Sequence, residues 1–224
     1  MSGGTAYLVA ALGCLVAVAG VVVAVLALRA KRRQARKAGP TKERDPFRVA
    51  DDDADALRGD PRRLRPGDIV EIRHTQYGVR GTVRFLEGGW SWTEHLLDDA
   101  HGAKVWLSVE EDPDLELVLW HEVPVTEAVP APGPPRLDFD GRVYTSDETG
   151  QARYAASGTT GLNPTGKVRY HDYVDPTGAK LSFDSYGDNT TWEASRGELL
   201  HRAEVQVYPQ STSGSDGAPT GRAG

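Results

Sequence analysis

The chain of 224 residues has a single cysteine, Cys14. It lies within an apolar N-terminal run, so no internal disulfide and no thiolate zinc site is expected. A body without cysteine is at home in a reducing compartment. Charge is missing from the start of the chain as well, since nothing before Arg29 carries one. Between Leu64 and Tyr208 there is no stretch of 3.6-residue hydrophobic periodicity, which argues against a helical domain. The usual catalytic signatures are missing too. His121-Glu122 is followed by Val123-Pro124-Val125, not by the second histidine of a zinc-protease helix. Gly158-Thr159-Thr160-Gly161 and Gly166-Lys167 lack the helix that would make them an anion cradle, and read as flexible loop. No serine sits on a strand-to-helix elbow. Asp98-Asp99 and Glu110-Glu111-Asp112-Pro113-Asp114 lack the ligand alternation of a calcium loop and read as solvated turns. The residues therefore name no catalytic group, no metal site and no cofactor.

What stands at the N-terminus is an apolar run without charge, Ala6–Leu28, dominated by Val, Ala and Leu. As a helix it would be about 35 Å long, enough to cross a hydrocarbon core of about 30 Å. A cleaved signal peptide would place its positive charge ahead of a shorter run. Here the basic cluster Arg29, Lys31, Arg32, Arg33, Arg36 and Lys37 comes behind it. A lipoprotein signal ending at Cys14 fails because strongly apolar sequence continues past it. The positive-inside rule then puts the basic cluster in the cytoplasm, against anionic lipid headgroups, and the N-terminus outside. The formal charge of the whole chain is −6, so residues 38–224 carry −6 − 6 = −12. An acidic body speaks against nucleic acid as a partner and is repelled by an anionic leaflet. Residues 29–59 read as a basic, then acidic, juxtamembrane linker. Gly39-Pro40 breaks it, and Asp51-Asp52-Asp53-Ala54-Asp55 forms a like-charge run without a hydrophobic face.

From residue 60 onward the pattern is that of an all-β, mostly antiparallel body. Pro66-Gly67 is a turn before the alternating Ile69-Val70-Glu71-Ile72, and Gly78 and Gly81 mark turn or bulge points in the next strand. Trp90, Trp92 and Leu96 share one face. Leu115, Leu117 and Leu119 alternate with Glu116, Val118 and Trp120 as a half-buried strand. One unit is written twice. Asp99-Ala100-His101-Gly102-Ala103-Lys104 and Asp175-Pro176-Thr177-Gly178-Ala179-Lys180 are turns feeding a strand, spaced by 178 − 102 = 76. Asp at the first and Gly at the fourth position favour a type I turn. Gly81–Phe85 is echoed by Gly150–Tyr154 at a spacing of 69, and Trp120 by Trp192. These echoes divide the body into a first β repeat at 60–124, a stiff Pro-rich linker at 125–135 and a second repeat at 136–209. A Ser-, Gly- and Thr-rich tail at 210–224 is expected to be disordered.

Several stretches resemble the domain-of-unknown-function family 4178. They are Leu-Arg-Pro-Gly-Asp-Ile-Val at 64–70, Trp-Thr-Glu-His-Leu-Leu at 92–97, Trp-Leu-Ser-Val-Glu-Glu-Asp at 106–112 and Glu-Leu-Val-Leu-Trp at 116–120. The resemblance covers roughly residues 62–208. It implies a membrane-associated accessory role, because members accompany membrane-envelope stress proteins and polyamine-metabolism enzymes. It supplies no catalytic residues.

Candidate contacts for a ligand or partner are His95 and His171, which occupy equivalent places in the repeats, with Glu94 and Asp172 beside them. The alternative for both histidines is a duplicated strand position that tolerates His. Trp106 shares a strand face with Lys104, Ser108 and Glu110, and is a candidate exposed contact for a protein partner. The expectation is a single-pass, membrane-anchored cytoplasmic β-domain acting as a non-catalytic binding or scaffolding module for an unidentified protein partner. Two alternatives stand beside it. One is an enzyme with a site between the repeats around His95 and His171. The other is a cation- or polyamine-binding domain, marked by aromatics interleaved with carboxylates in one concave site.

Overall fold

A computed structural model describes residues 51–210 apart from positions 103, 113, 125, 126 and 189, with backbone only for 51–54. Ala6–Leu28, the basic cluster that follows it and the tail from residue 211 lie outside the described residues. Among those described, no helix is long and apolar enough to cross a membrane.

Eleven strands follow a short helix α1 (Asp51–Arg58) and a 3-10 turn (Pro61–Arg63). They are β1 (Ile69–Ile72), β2 (Thr75–Glu87), β3 (Trp90–Asp98), β4 (Lys104–Glu111), β5 (Leu115–Glu122), β6 (Arg136–Phe139), β7 (Arg142–Gly158), β8 (Thr165–Val174), β9 (Lys180–Tyr186), β10 (Glu193–Leu200) and β11 (Val205–Tyr208). Every ladder between them is antiparallel. The strand order is β11-β1-β2-β3-β4-β5-β10-β9-β8-β7-β6, and β2 also pairs with β7. That extra ladder closes β2-β3-β4-β5-β10-β9-β8-β7 into a ring of eight strands, a size whose interior holds packed side chains or one small ligand.

The two halves run through the same succession of pairings. A short hairpin, β1–β2 or β6–β7, turns through two residues with positive φ: Arg73 and His74 in one, Asp140 and Gly141 in the other. This is the geometry whose twist matches a two-residue hairpin. The long strand then carries a bulge, at Arg80 in β2 and at Asp147 in β7. These lie 147 − 80 = 67 apart, so the sequence echo at 69 is slipped by two residues and Trp192 is not the register partner of Trp120. Beyond the long strands the spacing becomes 76. The added 76 − 67 = 9 residues are 156–164, standing where the first half has the tight Gly88-Gly89 turn. Gly102 and Gly178 both have positive φ, and their amides donate to the carbonyls of Asp99 and Asp175.

Packing falls into three clusters. One gathers Val70, Ile72, Leu97, Leu107, Leu117 and Val205 between β3–β5 and the flap made by β1 and β11. A second gathers Leu137, Phe139, Tyr144, Tyr173, Leu181 and Phe183 under β6. The third, Val83, Phe85, Ala152, Tyr154 and Val168, lies on the opposite face of the same strands. Strands between two clusters are buried on both faces, as Leu117-Val118-Leu119 in β5 and Leu181-Ser182-Phe183 in β9 are. This corrects the half-buried alternation expected for β5, because the flap covers the face that would otherwise meet water.

The acidic run expected as a solvated spacer ends in helix α1. Its Asp55 accepts from Arg62 (2.8 Å) and from the buried Arg202 (2.8 Å). Acidic residues in a first turn also suit the positive end of the helix dipole. The loop at 158–161 is structured too: the Thr159 amide donates to the Arg80 carbonyl, and Thr160 is buried.

Candidate functional site

Adjacent strand residues face opposite ways, and this decides which candidates meet. His95 points into the cluster under the β1–β11 flap. It is 1% exposed and shares a hydrogen bond with Thr82 (Nδ1 to Oγ1, 2.9 Å), while its Nε2 has no partner. Burial pulls its pKa down to about 4, with the Asp68 charge opposing. His171 lies edge-on to Trp192 (5.1 Å between ring centroids), and burial lowers its pKa as well. Glu94 and Asp172, the neighbours of these histidines in sequence, point the other way. Neither carboxylate can therefore serve its adjoining imidazole.

The face carrying Glu94 and Asp172 is the inside of the ring. Trp92 of β3 and Tyr170 of β8 meet at 5.8 Å between centroids, edge to face. Along the sheet these strands are three ladder steps apart, roughly 14 Å at normal strand spacing. They touch because they approach across the interior. Phe85 stacks on Trp92 (4.9 Å), and Tyr154 meets Tyr186 edge-on (5.6 Å). Trp106 also faces inward, half-buried against the Val83–Phe85 cluster, and so does Trp120, whose indole N–H donates to Ser108 Oγ (3.1 Å). Trp120 lies over Gly197, where a Cβ would come within 2.5 Å of the indole ring. Gly197 is thus the position that lets the ring lie flat against the wall.

Carboxylates are interleaved with these aromatics. Glu94 accepts from the Trp92 indole N–H (3.3 Å), yet burial raises its pKa to about 7, with the Asp172 charge adding. Asp172 is also raised to about 7, by burial first and then by Glu148, against the opposing Ser182 hydroxyl and the Lys180 charge. Asp184 is pushed well above the carboxylate range by burial, then by Glu94, Asp172 and Glu193. Glu110 is raised by burial, with Glu116 and Glu148 adding. Glu94, Asp172 and Asp184 nonetheless keep partial solvent access, and Glu110 is exposed, so burial acts on it less than on the other three. The Lys180 ammonium sits among them and donates to Glu116. The Tyr170 hydroxyl donates to Glu87, and burial raises its pKa further out of reach. Among the described residues, no three His, Cys, Asp or Glu side chains converge as they would on one metal ion.

The sequence marked Glu94, Asp172 and Trp106, and all three face the interior. It does not single out Asp184, Tyr170, Tyr186 or Lys180, and the solvated turn expected at Glu110 is strand β4 instead. Their one signal is even-numbered register with Glu94 and Asp172 once the strand pairings are fixed.

Comparison with known proteins adds kinship without an activity. Uncharacterised proteins of Mycobacterium bovis and of two Mycobacterium tuberculosis strains are each 37% identical over 201 residues, covering 86% of this chain and 91% of theirs. No solved structure matches. Residues 65–202 match the family described as Domain of unknown function (DUF4178), and the chain belongs to that family.

Proposed function

We propose that this protein is a non-catalytic binding module that takes an organic cation inside its eight-stranded ring. The observation behind this reading is the interior itself. Glu94, Glu110, Asp172 and Asp184 are interleaved there with Trp92, Trp106, Trp120, Tyr170 and Tyr186, with the Lys180 ammonium among them. Ammonium groups suit such a place twice over, through charge-assisted hydrogen bonds to carboxylates and through attraction to ring faces. Lys180 bound to Glu116 is an internal sample of that chemistry. Carboxylates spread around the wall favour a ligand with several ammonium groups, such as a short polyamine, over a single metal ion. The family's association with polyamine-metabolism enzymes points the same way. The catalytic alternative has less behind it, since the two imidazoles face away from the carboxylates.

The halves share their order of pairings, their bulges and their turns, which favours descent from one duplicated unit. We place the β body in the cytoplasm, anchored by Ala6–Leu28 and by the basic cluster on anionic headgroups, where it is free to meet a protein partner. A reporter active only in the cytoplasm, fused after Gly224, should then give signal. Signal from an export-dependent reporter in its place would reverse the topology.

Binding is tested by calorimetry on the full chain in detergent, titrated with spermidine. Saturable binding in the micromolar to low millimolar range is expected, weakened at least tenfold by Glu94→Gln with Asp172→Asn. Equal affinity in that variant, or equal binding of magnesium, would remove the interior site.

A further inference from the structure

Lys180 opens β9 and Glu116 lies in β5, with β10 between the two strands. Lys180 stands opposite Gly197, which in turn stands opposite Trp120. The row through Lys180 therefore crosses β5 at Trp120, 120 − 116 = 4 residues from Glu116, or about 13 Å along the strand. The ammonium nonetheless donates to the Glu116 carboxylate. Strand parity puts both side chains on the interior face, with Ser182 and Asp184 on one strand and Val118 and Trp120 on the other. The ion pair thus runs through the ring and not along its wall.

Other carboxylates gather around that ammonium. Glu110 is the register partner of Glu116, and Glu148 is that of Asp172. The Lys180 charge acts on both Glu110 and Asp172, and so does the charge of Glu148. Glu110 and Glu148 are exposed, while the Lys180 and Glu116 side chains keep 21% and 39% exposure. The pair therefore sits where the interior meets water. Lys180 carries its ammonium on a flexible four-carbon stem, so it can swing off while Glu116 stays in place.

Resting on the interior-cation reading, we propose that Lys180 is a tethered competitor for the ligand. Its ammonium holds Glu116 in the free protein and gives up that carboxylate when a ligand ammonium arrives. One ammonium–carboxylate bond breaks and one forms, so the exchange by itself yields almost nothing. A monoamine must also overcome the effective concentration of a short tether, which is on the order of millimolar. A ligand with further ammonium groups gains at Glu94, Asp172 and Asp184 what it does not gain at Glu116. Lys180 in this way selects cations of several charges and screens out single ones.

The test uses the full chain in detergent at pH 8, with calorimetry and NMR of selectively ¹⁵N-labelled lysine. Lys180→Met keeps the stem and removes the charge, and should bind spermidine at least about fivefold more tightly. Butylamine should gain more than spermidine does, so the preference for the polyamine narrows. Lys180→Arg keeps the charge and should bring no gain in affinity. Saturating spermidine should move the wild-type Lys180 Nζ signal towards that of exposed lysines, and Glu116→Gln alone should move it the same way. Unimproved affinity in Lys180→Met, or a Lys180 signal that saturating spermidine leaves in place, overturns the competitor and spares the cation reading. Spermidine that binds neither the wild-type chain nor Lys180→Met, while Glu116→Gln still moves the signal, overturns the cation reading and the competitor with it.

Discussion

Gly158→Ala should destabilise the protein by about 3 kcal/mol, whereas Gly178→Ala should cost about 1 kcal/mol. Both glycines have positive φ, of 71° and 91°, so the backbone penalty is common to the two substitutions. What differs is space. Around Gly178 an added Cβ meets nothing within 4 Å. At Gly158 it would lie 2.6 Å from the Arg80 carbonyl oxygen and 3.0 Å from Gly81 Cα. Those atoms are backbone and cannot step aside as a side-chain tip can. Gly158 is the register partner of Gly81 at the end of the β2–β7 ladder. Gly81 is equally crowded, since its own Cβ would come within 2.6 Å of the Thr159 carbonyl oxygen. Two glycines face to face are what allow the chain leaving β7 to fold back over the Arg80 bulge and close the ring. Urea unfolding of both variants checks this. Equal costs for the two substitutions would mean that the seam tolerates a methyl group and that closure does not depend on it.

That seam also shows where local sequence stops being informative. Bulge, turn and strand were legible because each is a property of a few neighbouring residues: Gly81 at the bulge, Asp99 and Asp175 opening turns, alternation in Ile69–Ile72. Ring closure depends on Gly81 finding Gly158, and nothing in either neighbourhood specifies the other. The interior suffers from the same limitation. An alternating strand shows two faces but not which of them meets water, so Glu94 and Asp172 read as companions of His95 and His171, and nothing singles out Asp184. The repeat spacing makes His95 and His171 counterparts. It could not tell that strand parity turns both away from the carboxylates beside them. Trp106, expected as an exposed contact, is half-buried because the closed ring makes its face the inside.

The interior carboxylates make stability run against the usual acid trend. Their folded pKa values stand above their unfolded ones, at about 7 for Glu94 and for Asp172. The native state thus holds more protons than the unfolded state between about pH 4 and pH 7. Their contribution is fully favourable below that window and is lost as pH rises through it. His95, lowered to about 4, works in the opposite sense: its contribution is complete above about pH 6.5 and is lost as pH falls. Two or more carboxylates outweigh one imidazole, so these groups should make the wild-type protein more stable as pH falls from about 7 towards 4, and a substitution is needed to separate the two contributions. Asp172→Asn removes one buried charge and keeps the shape. It should stabilise the unliganded protein by about 2 kcal/mol at pH 8 once partial exposure is allowed for, roughly 4–8 °C in melting temperature. By pH 4 the gain should be gone. A gain that persists at pH 4 would mean that packing, and not charge, is responsible. Because the Asp172 charge raises both Glu94 and Asp184, the double variant Glu94→Gln with Asp172→Asn should gain less than the sum of the two single variants. The same charges give the ligand its purchase. At pH 8 spermidine should raise the melting temperature of the wild-type protein and leave that of the double variant nearly unchanged, since a bound ammonium relieves the repulsion that the substitutions have already removed.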